Sequence, residues 1–328
     1  MTLESLFESF NGKRVLVVGD VMTDAYLHGV VNRMSPEAPV PVLDFKSDEK
    51  RIGGAGNVAL NLQALGATPL IASVIGLDQA GSELLSLFRA AQLDTSAIIT
   101  AATRRTTIKT RVLSNSKQLL RIDTEDQHDL NEQETSAIQA AILQHLAQGI
   151  DGIILEDYNK GVLSETLISW IIAQANSRNI PTCVDPKKKN FLSYRNCTLF
   201  KPNLKELQEG LALNFDYNNS PESIDAALAL LHKNLGNQYT FVTLSEHGVQ
   251  LFDGQNHWRQ AAHLRNIADV SGAGDTVIAT ASLCLICKAT AQQIAAIANL
   301  AGGLVCESPG VVSINKKHLL EEALQKLS

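Results

Sequence analysis

Short apolar segments alternate with helical segments along this chain. RVLVVG at 14–19, GIILE at 152–156 and TCV at 182–184 carry apolar residues almost without interruption. Such runs are typical of strands that are buried on both faces of a parallel sheet. The alternation therefore predicts an α/β fold, in which a central and mostly parallel sheet has helices on both faces.

The chain is also uniform in composition. No composition shift and no linker rich in Pro, Gly or Ser divides its 328 residues, so we expect one principal domain over 1–328 with a small appendage. A net charge of −6 gives no electrostatic reason to expect nucleic-acid binding. No stretch has the character of a signal peptide or a membrane span. With five irregularly spaced cysteines, these features predict a cytoplasmic protein without disulfides.

Two segments depart from the strand–helix alternation. Residues 22–45 contain β-branched residues, prolines and short alternating runs, and residues 105–123 contain two strand-like runs around SNSK at 114–117. These features are typical of edge strands. We therefore expect a small group of strands outside the main sheet.

Basic residues are concentrated in the second of these segments. Lys109 and Arg111 are two residues apart and therefore lie on the same side of one predicted strand, and Arg121 lies on the next strand. Because arginine suits bidentate capture of a phosphate, these residues are candidate phosphate ligands. Arg104 and Arg105 are instead predicted to be solvated.

A glycine-rich stretch, DVSGAGDT at 269–276, precedes a long apolar helical segment. Gly272, Ala273 and Gly274 are small enough for a polyanion to approach the backbone, and the first N–H groups of a helix have no internal partners. Asp275 lies at the same helix start, where its carboxylate can reach a bound hydroxyl. The stretch is thus a candidate site of phosphoryl transfer, with Asp275 as the base. An ordinary helix cap would explain the same residues.

A second glycine-rich stretch lies more than two hundred residues upstream. Gly53 and Gly54 would let the backbone approach a sugar, and Asn57 can offer a donor and an acceptor to its hydroxyls. A capping turn is the structural alternative. Asp20 and Asp24 lie just beyond the strand at 14–19, where open α/β sheets bind ligands, and they are candidate sugar contacts.

The two glycine-rich stretches together resemble the signatures of the PfkB (ribokinase-like) family of carbohydrate kinases. RIGGAGNVALNLQALGA, from Arg51, is similar to its N-terminal GG motif, and DVSGAGDT, from Asp269, to its C-terminal DxxGAGD motif. VVGDVMTDAYLHGVVNRMSPEAPVPVL, from Val17, is similar to the opening of the family's heptose 7-phosphate kinases. The resemblance covers nearly the whole chain and implies a ribokinase-like fold, with 22–45 and 105–123 as a lid that also forms a homodimer contact.

The same resemblance implies an activity. It is the ATP-dependent phosphorylation of D-glycero-β-D-manno-heptose 7-phosphate at O1, in ADP-heptose and lipopolysaccharide core synthesis. One alternative is a PfkB-family kinase for another sugar or sugar acid, and a second is an inactive nucleotide-binding regulator. Many heptose kinases carry a nucleotidyltransferase domain with an HxGH motif, and this sequence contains no such motif.

Roles for further residues are implied by the family motifs. Asn203 and Glu206 match an NxxE element that arranges Mg²⁺ and ATP phosphates, Glu206 through water, although a capping box needs the same spacing. A monovalent cation is a further expectation of the family. The implied nucleotide contacts also include Ser245, Gly248 and Asn299. The implied substrate contacts are Asp20, Asp24, Gly53, Gly54, Asn57, Lys109, Arg111, Arg121, Asp157 and Lys187.

Overall fold

The computed structural model describes residues 1–115, 117–217 and 219–327. Ser116, within the turn predicted at 114–117, lies outside the described residues. The helices are α1 (Leu3–Glu8), α2 (Ala55–Ala64), α3 (Gln79–Ala90), α4 (Glu132–Ala147), α5 (Glu165–Asn176), α6 (Leu204–Leu211), α7 (Ser223–Leu235), α8 (Ala273–Ile286), α9 (Ala291–Val305) and α10 (Lys316–Lys326). The strands are β1 (Arg14–Gly19), β2 (Val21–Met34), β3 (Pro41–Gly54), β4 (Thr68–Gly76), β5 (Asp94–Ala101), β6 (Ile108–Ser114), β7 (Lys117–Thr124), β8 (Gly152–Glu156), β9 (Thr182–Asp185), β10 (Leu199–Phe200), β11 (Tyr239–Thr243), β12 (Val249–Phe252) and β13 (His257–Gln260).

The main sheet runs in the order β13-β12-β11-β10-β9-β8-β1-β4-β5. Strands from β5 through β11 in this order pair in parallel, and β12 is antiparallel to both of its neighbours. The apolar segment at 14–19 is therefore a central strand, as predicted, with β8 on one side and β4 on the other. The carboxyl ends of β1, β8, β9 and β10 meet along one edge of this sheet.

Side chains of β1 alternate between two cores because successive residues of a strand face opposite sides of a sheet. Val15 and Val17 pack into a core with α1, α2, α3, α8, α9 and α10. Leu16 and Val18 pack into a second core with α4, α5, α6 and α7. Helices thus cover both faces, which confirms the predicted α/β class. Among the described residues, no helix is long and apolar enough to cross a membrane.

A second sheet, here called the small sheet, has the order β3-β2-β6-β7. Its strands come from the two segments that depart from the strand–helix alternation, but the first pair extends beyond the predicted range to Gly54. β2 begins two residues after β1 ends, so the small sheet stands at the carboxyl edge of the main sheet. Residues of both sheets can therefore meet at this edge.

Candidate active site

The N-terminus of α8 lies at this edge. Gly272 caps the helix with φ 80°, a left-handed conformation that favours glycine, and a Cβ there would come within 2.9 Å of Nδ2 of Asn57. Residues 271–274 are partly exposed, whereas the helix that follows is almost entirely buried. The Ala273 N–H donates a 3.3 Å hydrogen bond to the Val270 carbonyl, whereas the N–H groups of Gly272 and Gly274 and the positive end of the helix dipole face an accessible space. This arrangement suits an anion.

Asp275 belongs to the first turn of α8 and is only 5% exposed. Its Oδ2 accepts a 2.7 Å hydrogen bond from Asn57 Nδ2, and its Oδ1 accepts a 2.8 Å hydrogen bond from the hydroxyl of Tyr158. Burial raises the pKa of Asp275 to about 6, although both hydrogen bonds act to lower it. The carboxylate is thus oriented on both oxygens and ionised at neutral pH, as a general base must be.

Asp20 holds the loop that carries Tyr158. Its carboxylate accepts hydrogen bonds of 2.9 to 3.1 Å from the backbone N–H groups of Tyr158, Lys160 and Val162, and the residue is 1% exposed. The sequence predicts a sugar contact for Asp20. In the structure the carboxylate is buried and both of its oxygens accept hydrogen bonds from the loop, and the sugar contact stays a prediction.

Asp157, another expected substrate contact, is also buried in the structure. It is 1% exposed, and its oxygens accept hydrogen bonds from the Tyr194 hydroxyl at 2.8 Å and from the Asn159 backbone at 2.7 Å. Burial raises its pKa to about 6. Asp157 therefore stabilises the loop after β8, and its contact with the substrate stays a prediction.

Asp275 has two acidic neighbours at the ends of β8 and β9. Carboxylate oxygens of Glu156, Asp185 and Asp275 lie within 4.8 Å of one another, and Nζ of Lys201 lies 2.8 Å from Asp185. Burial and the charges of Asp185 and Asp275 raise the pKa of Glu156 well above its ordinary value. The ammonium of Lys201 offsets part of the negative charge of this cluster.

Asn203 and Glu206 form the capping box that is the structural alternative for their spacing. Asn203 accepts a 2.8 Å hydrogen bond from the Glu206 N–H, and Glu206 accepts a 2.9 Å hydrogen bond from the Asn203 N–H. The other Glu206 oxygen pairs with Nζ of Lys187. Since both oxygens have partners, contact with a magnesium ion through a water molecule fits this carboxylate better than direct ligation.

A cavity of about 580 Å³ adjoins the start of α8. Ser245, Gly248 and Asn299, the predicted nucleotide contacts, all line it. Asn299 also donates a 2.8 Å hydrogen bond to the Ala261 carbonyl. Other lining residues are Ala273, Gly274, Val277, Gly302, Gly303 and Cys306. Small and apolar side chains beside helix N–H groups make a space that suits an aromatic base followed by phosphates.

Most of the predicted phosphate ligands are paired with carboxylates. Arg111 pairs with Asp24 at 2.5 Å, and Arg121 pairs with Asp123 at 2.8 Å on its own strand. Lys187 pairs with Glu206 on the nucleotide side. Lys109 is half-buried and has no carboxylate within ion-pair distance among the residues that the structure describes. The guanidinium of Arg121 is largely exposed.

The glycines of the N-terminal motif are required by close packing. A Cβ on Gly53 would overlap the Asp24 carboxylate at 2.1 Å. Gly54 has φ 60°, and a Cβ there would lie 2.3 Å from the carbonyl oxygen of Asp20. Gly53 therefore lets β3 pack against the Asp24 side chain on β2, and Gly54 lets it approach Asp20 between β1 and β2.

Arg104 differs from its prediction as a solvated residue. It is 8% exposed, and its guanidinium donates hydrogen bonds to the carbonyls of His128 and Lys160. Its charge therefore holds the loop after β8 against the loop after β7. Arg105 is exposed, as predicted, and pairs with Asp126.

Sequence reasoning missed Tyr158, Glu156 and Lys201 as members of the site. Their position was the available signal, since Glu156 and Tyr158 lie at the end of a predicted buried strand and Lys201 lies directly after another. The sequence pattern carries no information on the direction of these side chains. It could not indicate which of these side chains point towards Asp275.

A protein-family model matches most of the chain. The model of the pfkB family of carbohydrate kinases matches residues 13–318. A bifunctional protein HldE of Methylobacillus flagellatus is 43% identical over 308 residues, which cover 94% of this chain and 62% of that protein. HldE of Caulobacter sp. strain K31 is 40% identical over 321 residues, with 97% and 64% covered. The chain thus spans less than two thirds of the length of these curated relatives.

Solved structures show the same fold at low sequence identity. Escherichia coli phosphofructokinase-2 in complex with substrates and products superimposes with a TM-score of 0.78 at 18% identity, covering 96% of this chain and 100% of that chain. Arabidopsis thaliana ribokinase complexed with ribose and ATP gives a TM-score of 0.73 at 17% identity, covering 97% and 100%. These similarities confirm the predicted ribokinase-like fold class.

Proposed function

The chain belongs to the pfkB family of carbohydrate kinases and is an ATP-dependent sugar kinase, and we propose that its substrate is D-glycero-β-D-manno-heptose 7-phosphate. One observation carries the catalytic part of the proposal: a carboxylate, that of Asp275, is fixed in the same helical turn as the exposed N–H groups that adjoin the nucleotide-sized cavity. An acceptor hydroxyl and a γ-phosphate can therefore be held against one helix start.

The proposed transfer needs few protein groups. Asp275 accepts the proton of the O1 hydroxyl as O1 bonds to the γ-phosphorus, and the bond between that phosphorus and the bridging oxygen breaks to release ADP. The backbone N–H groups of Gly272, Ala273 and Gly274 stabilise the charge on the transferred group. A weak base suffices, since the hydroxyl gives up its proton late in a loose transition state.

Magnesium is the proposed cofactor. Glu206 and Asn203 would hold it through water, and the ion would neutralise and bridge the phosphates of ATP. Lys187, paired with Glu206, adds a positive charge on the same side. Because Escherichia coli phosphofructokinase-2 has been solved in complex with potassium, turnover measured with and without K⁺ tests the expectation of a monovalent cation.

The identity of the sugar is the finer part of the proposal. It rests on the similarity of the 17–43 segment to heptose 7-phosphate kinases and on Lys109, a half-buried cation at the small sheet. The assay measures ATP turnover with heptose 7-phosphate, the dephosphorylated heptose, ribose, fructose and 2-keto-3-deoxygluconate. Among these sugars, only heptose 7-phosphate is expected to support turnover. Turnover only with another sugar or sugar acid would establish the alternative substrate instead, and turnover with none would favour an inactive regulator.

We further propose that residues 1–328 form one kinase domain that acts in the cytoplasm, and that two copies associate through the small sheet, which serves as a lid in each. Leu120 and Ile122 lie on one side of β7 and are 57% and 48% exposed. Exposed apolar side chains in register suit an interface. Leu120→Glu should shift the sedimentation profile towards monomer, whereas Leu230→Glu on α7 should not. An unchanged profile in the first variant would exclude this interface.

A further inference from the structure

Tyr158 is the residue through which several parts of the site contact one another. Its hydroxyl donates a 2.8 Å hydrogen bond to Asp275 Oδ1, and its backbone N–H donates to Asp20. The side chain is partly buried and lies at the carboxyl end of β8. Two anchors, one on the backbone and one on the hydroxyl, therefore set the direction of the ring.

The ring of Tyr158 also contacts two cations from different elements. Nζ of Lys109, on β6 of the small sheet, lies 5.3 Å from the ring centroid, and Nζ of Lys187, after β9, lies 5.5 Å from it. Both distances are within the range of cation–π attraction. Lys109 lies on the proposed sugar side and Lys187 on the proposed magnesium side. One aromatic ring thus touches a charged group of each substrate's proposed subsite.

We propose that Tyr158 is a positioning residue for phosphoryl transfer, which orients Asp275 through its hydroxyl and seats Lys109 and Lys187 through its ring. The proposal rests on the proposed role of Asp275 as the base. It adds a residue that the family motifs do not assign and a physical link between the two subsites.

The hydroxyl matters because Asp275 has competing neighbours. The carboxylates of Glu156 and Asp185 face it from β8 and β9, and the ammonium of Lys201 faces it from the end of β10. Without other hydrogen bonds, the two acidic neighbours would repel the Asp275 carboxylate and the Lys201 ammonium would attract it, so that its side chain would turn towards Lys201. The paired donors of Tyr158 and Asn57 hold its two oxygens from opposite elements, so that the plane of the carboxylate stays fixed.

Tyr158 itself does not exchange the proton. Burial and the adjacent negative charges of Asp275 and Glu156 raise the pKa of the phenol well above its ordinary value. The group therefore remains protonated, and a hydrogen-bond donor, at neutral pH. Its contribution is to favour the ionised form of Asp275 and to fix its direction.

The test compares three variants of the whole chain. Tyr158→Phe removes the hydroxyl and keeps the ring, and Tyr158→Leu removes both. Tyr239→Phe is the control, since Tyr239 begins β11 at the opposite edge of the main sheet. For each variant, kcat, KM for both substrates and the pH dependence of kcat/KM are measured, with thermal unfolding to verify the fold. Because the sugar phosphate is the same in all assays, its own ionisation cancels in the comparison.

Tyr158→Phe is expected to lower kcat about tenfold and to move the acid limb of kcat/KM upwards by about half to one pH unit, with both KM values within about twofold of wild type. Tyr158→Leu should also raise KM for the sugar phosphate. Tyr239→Phe should match wild type. An unshifted acid limb in folded Tyr158→Phe would overturn the proposal, whatever the effect on kcat. Failure of the base assignment is separate: it would appear as substantial activity in Asp275→Asn.

Discussion

The side-chain amide of Asn57 donates a 2.7 Å hydrogen bond to Asp275, a residue 218 positions further along the chain. At the next residue, the Thr276 hydroxyl donates a 3.0 Å hydrogen bond to Asn61. These two buried contacts join the N-terminus of α8 to α2. The two glycine-rich stretches of the sequence therefore form one site, in which the second motif supplies the carboxylate and the first motif holds it.

Replacement of Asp275 by asparagine should abolish most phosphoryl transfer. The substitution preserves shape but removes the proton acceptor, so kcat is expected to fall by a factor of about 10³ or more. Steady-state assays with ATP and the sugar phosphate measure the effect. Asp151→Asn is the control, because Asp151 pairs with Lys13 at the opposite edge of the sheet. A fall of less than tenfold in Asp275→Asn would exclude Asp275 as the base.

The pH profile should report the ionisation of Asp275. Because its pKa is raised to about 6, kcat/KM of the wild type should fall as pH drops through this value, by tenfold per unit well below it. Asn57→Ala removes a donor that favours the ionised form, so the acid limb should move to higher pH. A limb that moved to lower pH in Asn57→Ala would contradict this assignment.

Two alanine substitutions in the GAG sequence should differ in stability. An alanine at position 272 must adopt φ 80° with a Cβ 2.9 Å from the Asn57 amide, so Gly272→Ala is expected to lower the free energy of unfolding by about 2–4 kcal/mol. A Cβ on Gly274 meets Asp185 and Lys201 at ordinary distances of 3.7 and 3.8 Å. Gly274→Ala should stay within about 1 kcal/mol of wild type. Denaturant unfolding distinguishes them, and equal losses would contradict the packing argument.

Lys201 should be important for stability. It is 2% exposed and pairs with Asp185 beside Glu156 and Asp275. Lys201→Met leaves a buried carboxylate without its cation, which typically costs about 3–5 kcal/mol. Denaturant unfolding at neutral pH measures the loss. The double variant Lys201→Met with Asp185→Leu should recover part of it, and a single variant as stable as wild type would show that the pair is unimportant.

Lys109 and Arg121 should differ in their effect on substrate binding. Burial and the nearby charges of Lys160 and Arg121 lower the pKa of Lys109, so a phosphate there would relieve an unfavourable environment. Arg121 is exposed and already paired with Asp123. Lys109→Met should raise KM for the sugar phosphate about tenfold, and Arg121→Met less than about threefold. The reverse order would place the phosphate on β7 instead.

Local sequence patterns predicted the buried strands, the start of α8 and the protein family. Uninterrupted apolar runs predicted buried strands because both faces of a parallel sheet are covered. The GAG sequence predicted a helix start, and the structure places Gly272 in a conformation that favours glycine. The family of carbohydrate kinases also followed from motifs alone, since the glycines of both motifs are recognisable in the sequence.

Contacts between distant segments were decided only by the tertiary structure. The sequence could not indicate that Tyr158 points at Asp275, that Asp20 turns inwards to three backbone N–H groups, or that Arg111 pairs with Asp24. Each depends on the direction of a side chain relative to an element far away in the chain, and hydrophobic periodicity carries no information on that direction. The sequence alone therefore determined the fold and the chemical groups, whereas packing of the two sheets decided which charges face one another.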